Sequence, residues 1–221
     1  KDIVFGTTAN KRVAQGGHSA PDQHGLRLWG LGQPWLVGGG RTGDAAGQST
    51  LFAFDPAVST HRFNPGNVED FYLRPGGGGY TITSSGLLSS VGTEFHTRRT
   101  VVSYDEGRTG AKAAIVVADT SNNGRYWRIN TPGCNRIEIT GERTFTISLD
   151  PAKTGSNPNF PADLVANPPK LYGRILVPST GLLTTGTVNR PAQFENARIY
   201  GQDFPTNQWV QWEATNGDTE Y

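Results

Sequence analysis

The chain has no methionine, one cysteine and only four histidines in 221 residues. A lone cysteine makes no intrachain disulfide and, by itself, no thiolate metal site. Cys134 follows Pro132-Gly133 and reads as a turn or core residue, not a nucleophile. No apolar run approaches the roughly 18 residues that a membrane span needs. Twenty basic residues stand against nineteen acidic ones, a net charge of +1. That balance gives no global field to draw in nucleic acid or a membrane surface, and no basic run interleaves with aromatics as nucleic-acid faces do. The chain starts Lys1-Asp2 with neither an initiator nor an apolar leader. It is expected to be a processed part of a longer product, secreted or periplasmic.

A helical period is missing as well: no twelve-residue segment keeps one. One short helical turn, around Leu164, is expected. The G-x-S-x-G elbow and H-E-x-x-H are absent. Gly38-Gly39-Gly40 follows a strand, but no helical pattern comes after it, so no phosphate cradle is expected.

What the chain does have is 29 glycines and 14 prolines, without a period. Short strand-forming runs lie between Gly, Pro, Asn and Asp, as in a sandwich or barrel. The expected fold is all-β, an antiparallel β-sandwich (supersandwich-like) with little helix, in a single domain over 1–221. Expected strands include Asp2 to Phe5, Leu26 to Leu31, Pro34 to Val37 after a Gly32-Gln33 turn, Thr50 to Phe54 and Val68 to Leu73. Pro75 and the glycines behind it should form a flexible turn before Tyr80 to Thr83. The longest strand, Glu94 to Tyr104, places His96, Arg98, Thr100 and Val102 on one face and Thr97, Arg99 and Val101 on the other. Charge on both faces suggests a solvated edge. Ala111 to Ala118 reads as a buried strand, and Asp119 to Gly124 as a hairpin turn. Tyr126 to Ile129, Arg136 to Thr140, Thr144 to Leu149, Leu171 to Val177, Phe194 to Tyr200 and Gln208 to Glu213 continue the pattern.

Chemistry concentrates between Gly16 and Arg41. A glycine-flanked loop carries His18, Asp22 and His24, two of the four histidines within seven residues. These are nitrogen and oxygen donors of the type zinc accepts, although Pro21 interrupts regular extension. The loop runs into the strand bearing Arg27 and Trp29, so ionisable groups stand at the mouth of a rigid hairpin.

The run Gly17-His18, Asp22, Leu26-Arg27-Leu28 and Gly32-Gln33-Pro34-Trp35-Leu36 resembles the heparinase II/III-like C-terminal β-sandwich domain of polysaccharide lyases. Gln48 to Leu51, His96 to Tyr104, Ala114 to Asp119 and Leu171 to Pro178 are similar in order to later parts of that domain. The resemblance implies β-elimination on uronic-acid-containing glycan, in a cleft shared with an N-terminal (α/α) toroid that this chain lacks. A base takes the C5 proton, the glycosidic oxygen leaves from C4, and a neutralised carboxylate makes the proton more acidic. Carried over residue by residue, only His18 matches the catalytic histidine. The isolated chain is therefore expected to be weakly active or inactive.

Arg27, Trp29 and Arg41 are candidates for contact with the anionic sugar, since a guanidinium matches a carboxylate and an indole faces a sugar ring. The positions that hold zinc in the family are similar to Ala20, Gly38 and Gln48 here. None is a good ligand, so no metal and no other cofactor is expected. The expected partner is an anionic polysaccharide, with no nucleic acid and no membrane. The alternative is a non-catalytic carbohydrate-binding or structural β-sandwich, with Trp127, Trp209 and Trp212 as aromatics for one sheet face.

Overall fold

The computed structural model describes residues 3–7, 25–38, 49, 51–52, 66–85, 95–104, 110–121, 126–189 and 199–215. Strand accounts for 66% of these, which makes the fold all-β and antiparallel, sandwich-like in build. The strands in chain order are β1 (Ile3–Thr7), β2 (Leu26–Gly30), β3 (Gln33–Leu36), β4 (Leu51–Phe52), β5 (Gly66–Arg74), β6 (Gly77–Ser85) and β7 (Phe95–Tyr104). They continue as β8 (Ala113–Ser121), β9 (Tyr126–Pro132), β10 (Asn135–Gly141), β11 (Thr144–Leu149), β12 (Lys170–Arg174), β13 (Gly181–Asn189) and β14 (Thr206–Ala214). Two helical turns, α1 (Pro151–Thr154) and α2 (Ala162–Ala166), lie between β11 and β12. The second is the turn expected around Leu164. Among the described residues, no helix is long and apolar enough to cross a membrane.

Among the described residues four sheets result, with strand orders β1-β2-β3, β13-β14-β9-β4, β5-β6-β7-β8 and β10-β11-β12. The first two are joined at Val37, which bridges Asn130 of β9. Ser49 fastens this seam. Its hydroxyl donates to the Val37 carbonyl at 2.6 Å and accepts from the Asn130 amide at 2.8 Å. Its own carbonyl accepts from the Leu26 amide at 3.0 Å. One fully buried serine thus closes three backbone ends that would otherwise be desolvated without partners.

The main core draws on all four sheets. Leu26, Leu28, Trp35 and Leu36 meet Ile129, Val210, Trp212, Phe145 and Ile147, with Ile115 and Val117 of β8 packed against them. The β2 pattern of buried, half-buried, buried, exposed, buried is the period-2 signature of a strand with one face on the core. A smaller cluster of Cys134, Leu149, Phe160, Leu164, Ile199 and Phe204 lies under the crossing segment that carries the helical turns. Cys134 is fully buried there, and burial pushes its thiol up to about 12, so it is inert.

Several local expectations change. The first hairpin turns at Leu31 and Gly32, one residue earlier than expected, and both have positive φ (55° and 88°), as a two-residue primed turn requires. The turn expected at Pro75 is confined to Pro75 and Gly76, and the glycines after Gly76 do not belong to it. Gly77, Gly78 and Gly79 are buried strand residues of β6, and a Cβ on Gly77 would fall 2.3 Å from the Val102 carbonyl oxygen. β8 is not buried on both faces: its residues alternate, and Val116 is 54% exposed. The strand continues through Asp119 to Ser121 in place of the turn expected from Asp119. β13 is an unexpected strand. Its glycines read as breakers, yet Gly186 is where the Trp209 ring lies, 2.3 Å from where a Cβ would sit. Gly173 accommodates the Phe145 ring in the same way, at 2.0 Å, and both are direct cross-strand pairs. Most of the strand expected at Phe194 to Tyr200 lies outside the described residues.

Candidate functional site

Strand β2 is held on its inner face by Leu26 and Leu28, so alternation sends Arg27 and Trp29 together to the outer face. Trp29 is 48% exposed, far more than Leu26 and Leu28 on either side of Arg27. Arg27 is half-buried, and its Nη1 donates to the Leu26 carbonyl at 3.0 Å. The register places Trp29 opposite Pro34. An extra residue at Trp35 turns both Trp35 and Leu36 into the core, a bulge that returns Val37 to the outer face.

Because Val37 bridges Asn130, and Asn130 pairs with Trp209, the outer side of β2 is aligned through β3 and β9 with that of β14, but Pro34, Asn130 and Asn207 on that side are buried and interrupt the solvent-facing surface. A second arginine–tryptophan pair stands on that side. The Arg128 guanidinium carbon lies 4.2 Å over the Trp209 ring, a cation–π contact. Arg128 Nε and Nη2 both donate to Gln211 Oε1, at 2.9 and 2.5 Å, which fixes the guanidinium over the ring. From β2 to β14 is three strand spacings, about 14 Å. The composite sheet therefore carries two separate sets of a cation beside a flat aromatic.

The aromatic group expected on one face does not form. Trp212 and Trp127 are opposite each other in the register and both turn inward. Trp212 is 1% exposed. Only Trp209 of the three faces out, since it is an odd number of positions from Trp212 on the same strand.

His18 and Arg41 lie outside the described residues, as do Asp22, His24, Ala20 and Gln48. Gly38 is described; its carbonyl accepts from Asn207 Nδ2 at 3.4 Å. Among the described residues, no group of three or more His, Cys, Asp or Glu side chains could hold a metal ion.

A titratable cluster that sequence reasoning did not assemble sits in β7 and β8. Arg98 is directly opposite Asp119, and His96 is its diagonal neighbour on the same face. Arg98 Nε donates to Asp119 Oδ1 and Arg98 Nη2 to Oδ2, both at 2.6 Å, a fork-to-fork pair. His96 Nε2 is 2.7 Å from Oδ1. Facing a carboxylate, that nitrogen carries the proton. Burial alone would raise the Asp119 carboxyl; the Arg98 and His96 charges and hydrogen bonds outweigh it and hold the group well below the usual carboxylate range. Burial pushes His96 below its ordinary 6.5, against the pull of Asp119 and with a smaller push from Arg98.

The three side chains have at most 2% of their surface exposed. The cluster therefore reaches no substrate, and its carboxylate is already saturated by three donors. It corrects the reading of β7 as a solvated edge: β7 is an interior strand whose one face is buried at His96, Arg98 and Thr100, while Arg99 on the opposite face is exposed. The missed signal was Asp119, whose turn-like surroundings hid its place at the end of the neighbouring strand.

No family model, no curated protein and no solved structure is detectably similar to this chain.

Proposed function

We propose that this chain is the glycan-facing β-sandwich domain of a polysaccharide lyase, with the outer face of β2 as the contact surface for an anionic polysaccharide. The observation that carries the reading is the placement of the exposed Trp29 ring beside Arg27 on the outer face of β2, with Arg128, stacked on Trp209, as a second cation. An indole offers a flat apolar surface to the C–H face of a sugar ring, and a neighbouring guanidinium donates to its carboxylate. A second cation at a separation of several strands suits a chain of repeating uronates better than a single small ligand. In the elimination chemistry implied by the resemblance, His18 handles the C5 proton, Arg41 is a further cation, and a helical toroid domain supplies the remaining groups.

The test is binding of alginate, heparin, hyaluronan and glucuronan by calorimetry, alongside the absorbance of unsaturated uronate product. Trp29→Ala and Arg27→Ala are each expected to weaken binding of at least one acidic glycan, by about 1–3 kcal/mol for a stacked or charge-assisted contact. Loss of turnover in His18→Ala with binding intact would support the catalytic part. Glycan binding without turnover in any setting leaves a non-catalytic binding module. No binding to any acidic glycan, or binding indifferent to both substitutions, overturns the proposal.

A further inference from the structure

We propose that β5 is a self-pairing edge: two copies of this chain join antiparallel along Asp70 to Arg74, about a two-fold axis through Tyr72, and fuse their β5-β6-β7-β8 sheets into one. Among the described strands, β5 is the outermost of its sheet. It is nine residues long and contains no proline and no lysine, the usual devices that blunt an edge. Its one irregularity is the bulge at Glu69, between Val68 and Asp70. Past that bulge, the stretch from Asp70 to Arg74 is regular.

The side chains of this stretch are self-complementary. Read backwards, Asp70-Phe71-Tyr72-Leu73-Arg74 exchanges acid for base and one apolar residue for another. Antiparallel pairing centred on Tyr72 places Asp70 opposite Arg74 of the second copy and Phe71 opposite Leu73, and the two-fold repeats each contact. Asp70 and Arg74 are both exposed and lie on one face, where the Arg74 guanidinium sits 5.7 Å over the Tyr72 ring.

The other face supplies the apolar contact. Val68 and Phe71 pair with Ile82 and Tyr80 of β6, so they share the face on which Ile82 is 1% exposed. Yet Val68, Phe71 and Leu73 are 50%, 62% and 77% exposed. The core stripe of the sheet thus runs out to its edge uncovered, and a second β5 would cover it.

Strand β12 serves as an internal control. It too is an edge with a tyrosine at its centre, Lys170-Leu171-Tyr172-Gly173-Arg174. The same centring there sets Lys170 against Arg174 twice over, so like charges oppose self-pairing.

The experiment is sedimentation or light scattering of the intact chain, with expected mass twice 23.8 kDa at high concentration. Arg74→Asp and Asp70→Arg should each weaken dimerisation by roughly tenfold or more, since two attractive cross-strand pairs become repulsive. The double variant Asp70→Arg with Arg74→Asp should restore it. Tyr72→Cys should oxidise to a covalent dimer, because its two copies face each other, whereas Leu73→Cys should not, its copies lying beyond the roughly 7 Å limit for a disulfide. The one native cysteine is fully buried and does not interfere. A chain that stays monomeric, a double swap no better than the single ones, or equal cross-linking from Leu73→Cys each overturns the proposal. Circular dichroism confirms that each variant is folded.

Discussion

Two of the interiors among the described residues are built on opposite principles. Around Ile147, Phe145, Val210 and Trp212 the sheets meet through apolar side chains. In the β5-β6-β7-β8 sheet, the inner face under β7 is filled by His96, Arg98 and Asp119, joined by hydrogen bonds of 2.6–2.7 Å. The first interior is non-directional: side chains of similar volume replace one another at modest cost. The second is all-or-none. Removing charges from water is expensive, and their mutual attraction offsets that only while every partner is in place.

The largest effect should come from splitting the charged interior. Asp119→Ala leaves Arg98 buried without its counter-ion, and the expected loss is about 3–5 kcal/mol, read as a shift in urea midpoint. Replacing both partners, Arg98→Met with Asp119→Leu, should recover most of it. If the double variant is as unstable as the single one, the pair is more than a self-contained ion bridge.

Acidification should separate the two interiors next. The folded His96 titrates below its ordinary 6.5, so as pH falls the unfolded chain takes up this proton first. The contribution is intact above about 6.5 and is lost as pH drops below it, by up to about 1.4 kcal/mol per pH unit. Asp119, held below its ordinary 3.8, adds its own loss only under about pH 4. Denaturant midpoints at pH 7.5 and 5.0 should differ, and His96→Gln should flatten the difference. An unchanged pH slope in that variant would assign it elsewhere.

The smallest effect belongs to the apolar interior. Ile147→Val should cost about 0.5–1.5 kcal/mol, the same at both pH values. A pH-dependent cost would mean that the two interiors are coupled.

Much of this contrast is legible in the sequence, and the missing parts have physical reasons. The period-2 alternation of β7 by itself places His96, Arg98 and Thr100 on one face. What cannot be read is that Asp119 sits opposite Arg98, because pairing depends on register between strands separated by residues 105–112 of low pattern. Arg27 and Trp29 are legible as a pair, since period 2 alone puts them together. Trp212 and Trp127 escape the sequence reading because their side of the sheet is decided by their pairing with each other. β13 escapes it because glycine inside a strand reads as a break unless the ring that covers it is known.

Those rings make the fold observable in solution. A proton above an aromatic face is shielded by the ring's induced current, so the α-protons of Gly173 under Phe145 and Gly186 under Trp209 should resonate upfield of ordinary strand glycines. Each shift is a magnetic signature of one cross-strand register, β11 with β12 and β14 with β13. A one-residue slip would turn the ring to the opposite side of the sheet and erase it. The two glycines thus act as built-in beacons, reporting separately on the alignment of two sheets.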